Sequence, residues 1–309
     1  MRRYPVAVTE FLEEGKPHAL CVLGKDIVVW KPATSGSEWR AFEDACPHRL
    51  APLSEGRVEE DGSLLCAYHA WRFDASGACT SMPHALESQE AELRASPRAC
   101  AVALPTKEID GLLWVWPDTS DDGRMACAAG LNPPALIEEL HDPAYAGRVK
   151  RMHWNVRDLP YGWDFFMENV CDPAHVPVSH HGIVGNRYTD PRFFEMFLDG
   201  DVTDAGFAFD VSPGPSPGVT SRHEFRAPSL QKITNEFTRP QPPKMMSQGG
   251  KMILCLYATP SKPGWTRHVG CQILVENEDN TLPPGLGFFA FIRRPTSVSN
   301  FYESTCWVF

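Results

Sequence analysis

The chain has 309 residues, which at roughly 150 residues per domain points to about two domains. Hydrophobic residues make up 43% and charged residues 22%, an ordinary globular mixture that excludes wholesale disorder. Lys and Arg number 29 against 39 Asp and Glu, a net charge of −10, so no basic surplus faces phosphates and a dedicated nucleic-acid binder is excluded.

From the N-terminus the sequence reads as short strands. Ala19–Leu23, Asp26–Trp30, Trp39–Phe42, Ser63–Cys66 and Leu112–Trp116 are β-branched or aromatic runs separated by Gly, Pro, Asp or Ser. Their spacing predicts a small β-barrel or sandwich over residues 1–118. Asp118–Gly147 is rich in Asp, Gly, Ala and Pro, with a short helix expected at Pro134–Leu140, and reads as a linker over 119–150. A second domain over 151–309 opens with a helix expected at Asp158–Asp172, where Pro160 suits a first turn and Asp164–Val170 lacks breakers. Strands return after Arg192: Phe207–Ser212, Thr220–Phe225, Ile233–Phe237, Met252–Thr259 and Arg267–Val275. The longest apolar run, Gly285–Ile292, is far short of the roughly 18–20 residues that cross a bilayer. Arg293–Phe309 loses the pattern.

The ten cysteines are spread along the chain with no apolar signal segment before them, which argues against a disulfide scaffold. Met1–Pro5 also lacks a transit segment, so the chain is cytosolic or its N-terminus is mature or incomplete.

Two short segments carry metal-ligand chemistry. Cys46-Pro-His48 is followed, after residues 49–65, by Cys66-Ala-Tyr-His69. Two Cys and two His in two loops suit either zinc or a [2Fe–2S] cluster. In the cluster reading Cys46 and Cys66 hold one iron, and His48 and His69 hold the other. Neutral imidazoles then replace two thiolate charges and make the cluster easier to reduce. Gly56 and Gly77 lie where tight turns are needed, and Cys21, Cys79, Cys100, Cys127, Cys171, Cys255, Cys271 and Cys306 read as small buried apolar residues.

The second segment is Asn169-x-x-Asp172-x-x-His175-x-x-x-x-His180. Glu168, Asn169 and Asp172 can share a helix face. His175 and His180 lie about 140° apart on a regular helix, so both reach one ion only across a break, which Pro173 and Pro177 provide. Two His and a carboxylate on one side of an ion leave positions open, the arrangement of a mononuclear non-haem Fe(II) site. His181 is the alternative to His180.

Phe42-Glu-Asp-Ala-Cys-Pro-His-Arg-Leu-Ala-Pro-Leu-Ser-Glu-Gly56 and Asp172-Pro-Ala-His-Val-Pro-Val-Ser-His-His-Gly-Ile183 together resemble the chloroplast branch of the Rieske non-haem iron oxygenases. That branch holds pheophorbide a oxygenase, chlorophyllide a oxygenase and protochlorophyllide-linked and inner-envelope translocon components. The resemblance, from about Tyr4 to about Phe291, implies an α+β chain. An N-terminal β-rich Rieske [2Fe–2S] domain precedes an incomplete, helix-grip-like catalytic domain built on an antiparallel sheet. It implies Cys46, His48, Cys66 and His69 as cluster ligands and His175 and His180 as iron ligands. Asp172 matches an acid that bridges a cluster His of one subunit to an iron-ligand His of the next, and Asn169 a polar residue near the iron. A ring-shaped homotrimer, a ferredoxin-like electron donor, O₂, a chlorophyll-type tetrapyrrole substrate and a chloroplast location follow from the same resemblance. Phe193, Phe194 and Phe197 are candidates for an apolar substrate pocket or for ordinary core.

The sequence departs from the family pattern in three respects. No third, carboxylate iron ligand is evident before Phe309, although Asp279 and Glu303 are available. The later Cys-x-x-Cys and C-terminal membrane segments of the branch are absent, so membrane association would need segments outside this sequence, and no plastid-targeting segment is seen. The expectation is a chain truncated at its C-terminus. Two functions remain: an oxygenase, or an electron-transfer or redox-sensing component of the envelope import machinery without its own turnover.

Overall fold

Ile27-Val28-Val29-Trp30 is a run of β-branched and aromatic residues with no polar alternation, the pattern of a strand covered on both faces. In a computed structural model, which describes residues 2–183, 185–215, 218–239 and 248–277, all four are buried, at the centre of the first of two compact units. Among the described residues that unit comprises 2–135, 154–163 and 257–269, and the second those within 136–153, 164–256 and 270–277.

The first unit holds β1 (Tyr4–Val8), β2 (His18–Val22), β3 (Lys25–Trp30), β4 (Arg40–Glu43), β5 (Arg57–Val58), β6 (Leu64–Leu65), β7 (Arg72–Phe73) and β8 (Cys79–Ser81). Helix α1 (Glu87–Arg94), β9 (Ala103–Leu104), β10 (Thr106–Ile109), β11 (Leu112–Val115) and α2 (Asp121–Ala128) follow. These strands form three small sheets, ordered β1-β11-β10, β2-β3-β4-β9 and β5-β6-β7-β8. Strand β3 divides two cores. Ile27 and Val29 pack with Val6, Val22 and Val115, while Val28 and Trp30 pack with Phe42, Leu64 and Phe73. The second core also contains Cys46 and Cys66, so both thiols are anchored in the best-packed part of the unit.

Strands β12 (Val149–Arg151) and β13 (Asn155–Leu159), helices α3 (Trp163–Cys171) and α4 (Val176–Ser179), and β14 (Glu195–Thr203), β15 (Gly206–Ser212), β16 (Val219–Arg226), β17 (Leu230–Phe237), β18 (Lys251–Pro260) and β19 (Thr266–Val275) complete the order. They build one sheet, β12-β19-β18-β17-β16-β15-β14, with β13 also on β19. The α+β class expected from the sequence is the architecture observed. Among the described residues no helix is long and apolar enough to cross a membrane.

Several expectations for local structure are corrected. The stretch read as linker contains α2, because Ser120 caps it by accepting the Gly123 N–H (3.0 Å). The helix expected at Pro134–Leu140 is only a 3₁₀ turn at Glu138–Leu140. The helix expected from Asp158 starts at Trp163, since Asp158 and Leu159 belong to β13. There Asp158 takes two hydrogen bonds from Arg267 (2.8 and 2.7 Å), a partner 109 residues away that no local pattern reveals. Gly56 serves close approach rather than a left-handed turn, for a Cβ there would stand 2.0 Å from the Leu65 carbonyl oxygen. Of the cysteines read as buried, Cys79, Cys255 and Cys271 are, whereas Cys21, Cys100, Cys127 and Cys171 are half-buried. Cys306, the Gly285–Ile292 run, Arg293–Phe309 and the two acids Asp279 and Glu303 lie outside the described residues.

Candidate metal centres

The Cys46 and Cys66 loops are closed by the same hydrogen bonds. In the first, Cys46 N–H donates to the Ala51 carbonyl (2.8 Å) and Leu50 N–H to the Cys46 carbonyl (2.7 Å). In the second, Cys66 N–H donates to the Trp71 carbonyl (2.8 Å) and Ala70 N–H to the Cys66 carbonyl (3.0 Å). Leu50 and Ala70, each four residues after its cysteine, are both left-handed. Asp44 braces the first loop from outside, accepting the Ser54 N–H (2.7 Å) and hydroxyl (2.5 Å).

These loops bring the four residues together. Cys46 and Cys66 are 2% and 1% exposed. Burial, with the neighbouring Cys66 thiol as a further cause, pushes the Cys46 thiol up to about 12. The His48 and His69 rings meet edge to face at 4.7 Å, with His48 exposed and His69 half-buried. Partial burial and then the His69 charge lower the proton affinity of His48. His69 Nδ1 is buried without a hydrogen-bond partner among the described residues.

Two buried thiols in mutual contact and a buried imidazole nitrogen with no protein partner among the described residues suit a group bound by thiolates and imidazoles. The residues fit a [2Fe–2S] cluster, which asks two protein donors of each iron. Three flanking residues escaped the sequence reading. Trp71 stacks on His48 (4.6 Å, 4° between planes), Tyr68 lies against His69 (3.8 Å), and His84 meets His69 edge-on (6.3 Å). The aromatics beside the Cys-x-x-His were the available signal.

In the second unit Pro173 separates α3 from the one-turn α4, while Pro177 sits at the start of α4, where it breaks nothing. His175 and His180 flank that single turn. The His175 carbonyl accepts the Ser179 N–H (2.7 Å), and His180 N–H donates to the Val176 carbonyl (3.1 Å). The two Nε2 atoms stand 3.2 Å apart. Burial, then the His175 charge, lowers the proton affinity of His180.

Asp172 uses Oδ1 to accept the Ala174 N–H (2.7 Å) and sets Oδ2 3.7 Å from His175 Nδ1. Asn169 is half-buried near the end of α3, its carbonyl accepting the Asp172 N–H (3.2 Å). His181 turns elsewhere, its Nδ1 accepting the Arg187 N–H (3.1 Å). Two converging imidazoles, one of them, His180, of lowered proton affinity, fit a metal ion through Nε2. Among the described residues no three His, Cys, Asp or Glu side chains converge on one ion, so a third donor is not part of this arrangement. Among the described residues the phenylalanines proposed for a pocket do not enclose one, and Phe194 is half-buried. Phe193 is 81% exposed, and Phe197 lies exposed on β14, which is open to solvent along its whole length.

Residues 2–95 match the Rieske [2Fe-2S] domain. Over 271 residues, 87% of this chain, the sequence is 39% identical to pheophorbide a oxygenase, chloroplastic, of Oryza sativa subsp. japonica, covering 48% of that protein. Residues 2–95 thus form a Rieske domain, and most of the chain is similar to the chloroplast branch of the Rieske oxygenases. Over 61% of its length it is also 37% identical to the protochlorophyllide-dependent translocon component 52, chloroplastic, of Arabidopsis thaliana, of which it covers 32%. This Rieske chain thus spans about half the length of the first relative and a third of the second. Its fold is similar to that of Pseudomonas putida CBB5 NdmB (TM-score 0.68, 18% identity, 99% of this chain and 82% of that one). The cofactors of the family are a [2Fe–2S] cluster and a mononuclear iron.

Proposed function

We propose that the chain is the Rieske and iron-binding part of an oxygenase that uses O₂ and a ferredoxin-like electron donor to oxidise a chlorophyll-type tetrapyrrole in the chloroplast. The observation that carries the reading is the pairing, in one chain, of the two closed Cys/His loops with the His175–His180 pair, whose Nε2 atoms are 3.2 Å apart. In this reading Cys46 and Cys66 would hold one iron of the cluster, His48 and His69 the other, and His175 and His180 the mononuclear iron. When bound, the cluster supplies single electrons and the mononuclear iron supplies O₂ activation.

The chain's own residues set the conditions. Core packing around Cys46 and Cys66 keeps water from the thiolates. Burial keeps the His180 imidazole neutral and able to ligate. Asp172 lies near His175, with Oδ2 3.7 Å from Nδ1, and in this reading its exposed carboxylate would meet a second copy of the chain in a homotrimer. Asn169 lies beside this group as a polar neighbour.

The similarity to a translocon component and the absence of a third donor among the described residues favour, as a second reading, an electron-transfer or redox-sensing role without turnover. Reduced protein examined by electron paramagnetic resonance, with iron and sulfide analysis, tests the cluster. O₂-dependent oxidation of pheophorbide a with reduced ferredoxin tests the oxygenase. Asp172→Asn is expected to abolish product while the cluster spectrum is kept. Electron delivery to a partner that survives Asp172→Asn, with no product from the parent chain, would support the second reading instead.

A further inference from the structure

One face of the second unit's sheet carries polar side chains for which the fold has no use. Val211, Ser221 and Asn235 stand opposite one another across β15, β16 and β17. Phe209, His223 and Ile233 form the next row, and Phe207, Phe225 and Gln231 the third, so all three rows point to one side. Ser221, His223, Gln231 and Asn235 are each no more than 7% exposed. Among the described residues His223 Nδ1, Asn235 Oδ1 and Gln231 Nε2 have no hydrogen-bond partner. Buried polar atoms are nearly always partnered, because each desolvated and unmet group opposes folding. Three such atoms on adjacent strands mark a candidate ligand-binding face. On the opposite face the charges are paired: Arg222 with Asp199 and Asp210, and Lys232 with Glu138 and Glu139.

The surroundings suit a flat apolar molecule. Phe209 stacks on His223 (4.8 Å, 20°), and Phe207 lies 5.6 Å from Phe225. Phe207, Phe225 and Ile233 are only half-buried, so the face can be reached. Cys171, the last residue of α3, donates its thiol to Gln231 Oε1 (3.4 Å), which ties this face to the helix end immediately before Asp172. Burial pushes the His223 imidazole down to about 4 and keeps it neutral, with one donor and one acceptor nitrogen.

We propose that His223, Asn235 and Gln231 line the substrate site and bind the keto or carboxyl oxygens of a ring system lying on Phe207, Phe209 and Phe225. This rests on the oxygenase reading and deepens it by naming the residues that select the substrate.

The test uses the iron-loaded chain, with His223→Phe and Asn235→Leu, and two probes: pheophorbide a and a chlorin of the same ring without the keto oxygen. Affinity is read by quenching of chlorin fluorescence, and thermal midpoint by circular dichroism. Each variant is expected to weaken pheophorbide a binding by about tenfold or more, ~1.4 kcal/mol per decade. The keto-free chlorin should be bound almost equally by all three proteins. The thermal midpoints should hold or rise, since an unmet buried group has been removed. Unchanged affinity with wild-type turnover intact would overturn this inference alone. A lowered midpoint with unchanged affinity would overturn it too, making these groups structural. If the unmodified chain neither binds nor oxidises either chlorin, the oxygenase reading fails and takes this inference with it.

Discussion

Leu50 and Ala70 hold equivalent places in the two Cys/His loops, with φ of 58° and 56°. A left-handed conformation costs a non-glycine residue roughly 1–2 kcal/mol, so the loops keep it only because both ends are pinned by the cysteine backbone. Ala70→Gly should therefore leave iron content unchanged and move stability by less than ~1 kcal/mol. Ala70→Val should lose about 2 kcal/mol and much of the bound iron, because a β-branched residue resists positive φ. Iron and sulfide assays beside thermal melts check both. A valine variant with full iron content would show that the loop does not depend on this geometry.

The parts legible in the sequence were those whose constraints are local. Cys46, His48, Cys66 and His69 sit in loops of six residues, closed on themselves, and the structure brings them together. His175 and His180 converge across one short turn after Pro173. The start of α3 was misplaced because Asp158 is held in a strand by Arg267, far along the chain. Helix α2 was hidden because Gly123 reads as a breaker, and only the structure shows its N–H on the Ser120 cap. Strand β14 had no signal to give: its apolar residues Met196, Phe197, Leu198 and Val202 are exposed, so amphipathic patterning did not apply. The unmet polar row of His223, Gln231 and Asn235 depends on three-strand register, which no single-sequence pattern carries.

Gly56→Ala is expected to damage the cluster site from a distance. A Cβ there would stand 2.0 Å from the Leu65 carbonyl oxygen and 2.9 Å from that of Leu53. Both obstacles are backbone, and Leu65 directly precedes Cys66, so relief moves the second loop. The variant should lose at least ~2 kcal/mol, in the range of steric clashes in packed sites, and lose visible cluster absorbance faster than the parent. Equal decay of the two would show that the Leu65 strand yields without disturbing Cys66.

Lys232 is almost fully buried among three carboxylates, with Nζ 2.9 Å from Glu139, 3.3 Å from Glu138 and 3.7 Å from Glu224. Arg226 shares Glu138 and Glu224. Removing one buried partner strands the others, so Lys232→Met should cost about 3–5 kcal/mol. The double change Lys232→Met with Glu139→Leu should recover part of that loss, because the stranded charge is removed as well. Urea midpoints of the two single variants and the double variant close the cycle, and strictly additive losses would rule out the coupling.

Two histidines outside the metal centres give stability a defined pH dependence. His268 shares a hydrogen bond with the Tyr257 carbonyl (3.2 Å). Burial pushes both His268 and His223 down to about 4, against 6.5 for a solvated imidazole. The folded state thus holds these rings neutral while the unfolded chain protonates them near 6.5. Their contribution is complete above pH 6.5 and is lost as pH falls from 6.5 toward 4, by ~2 kcal/mol per ring at pH 5. Glu138, whose carboxyl is held low by its own backbone N–H and then by Lys232 and Arg226 against its burial, adds a loss of the same sign only at lower pH. Between pH 7 and 5 the histidines therefore dominate. Urea midpoints should fall steadily across that interval, and His268→Gln should make the slope shallower. A flat profile from pH 7 to 5 in the parent chain would mean that neither ring stays neutral in the folded state.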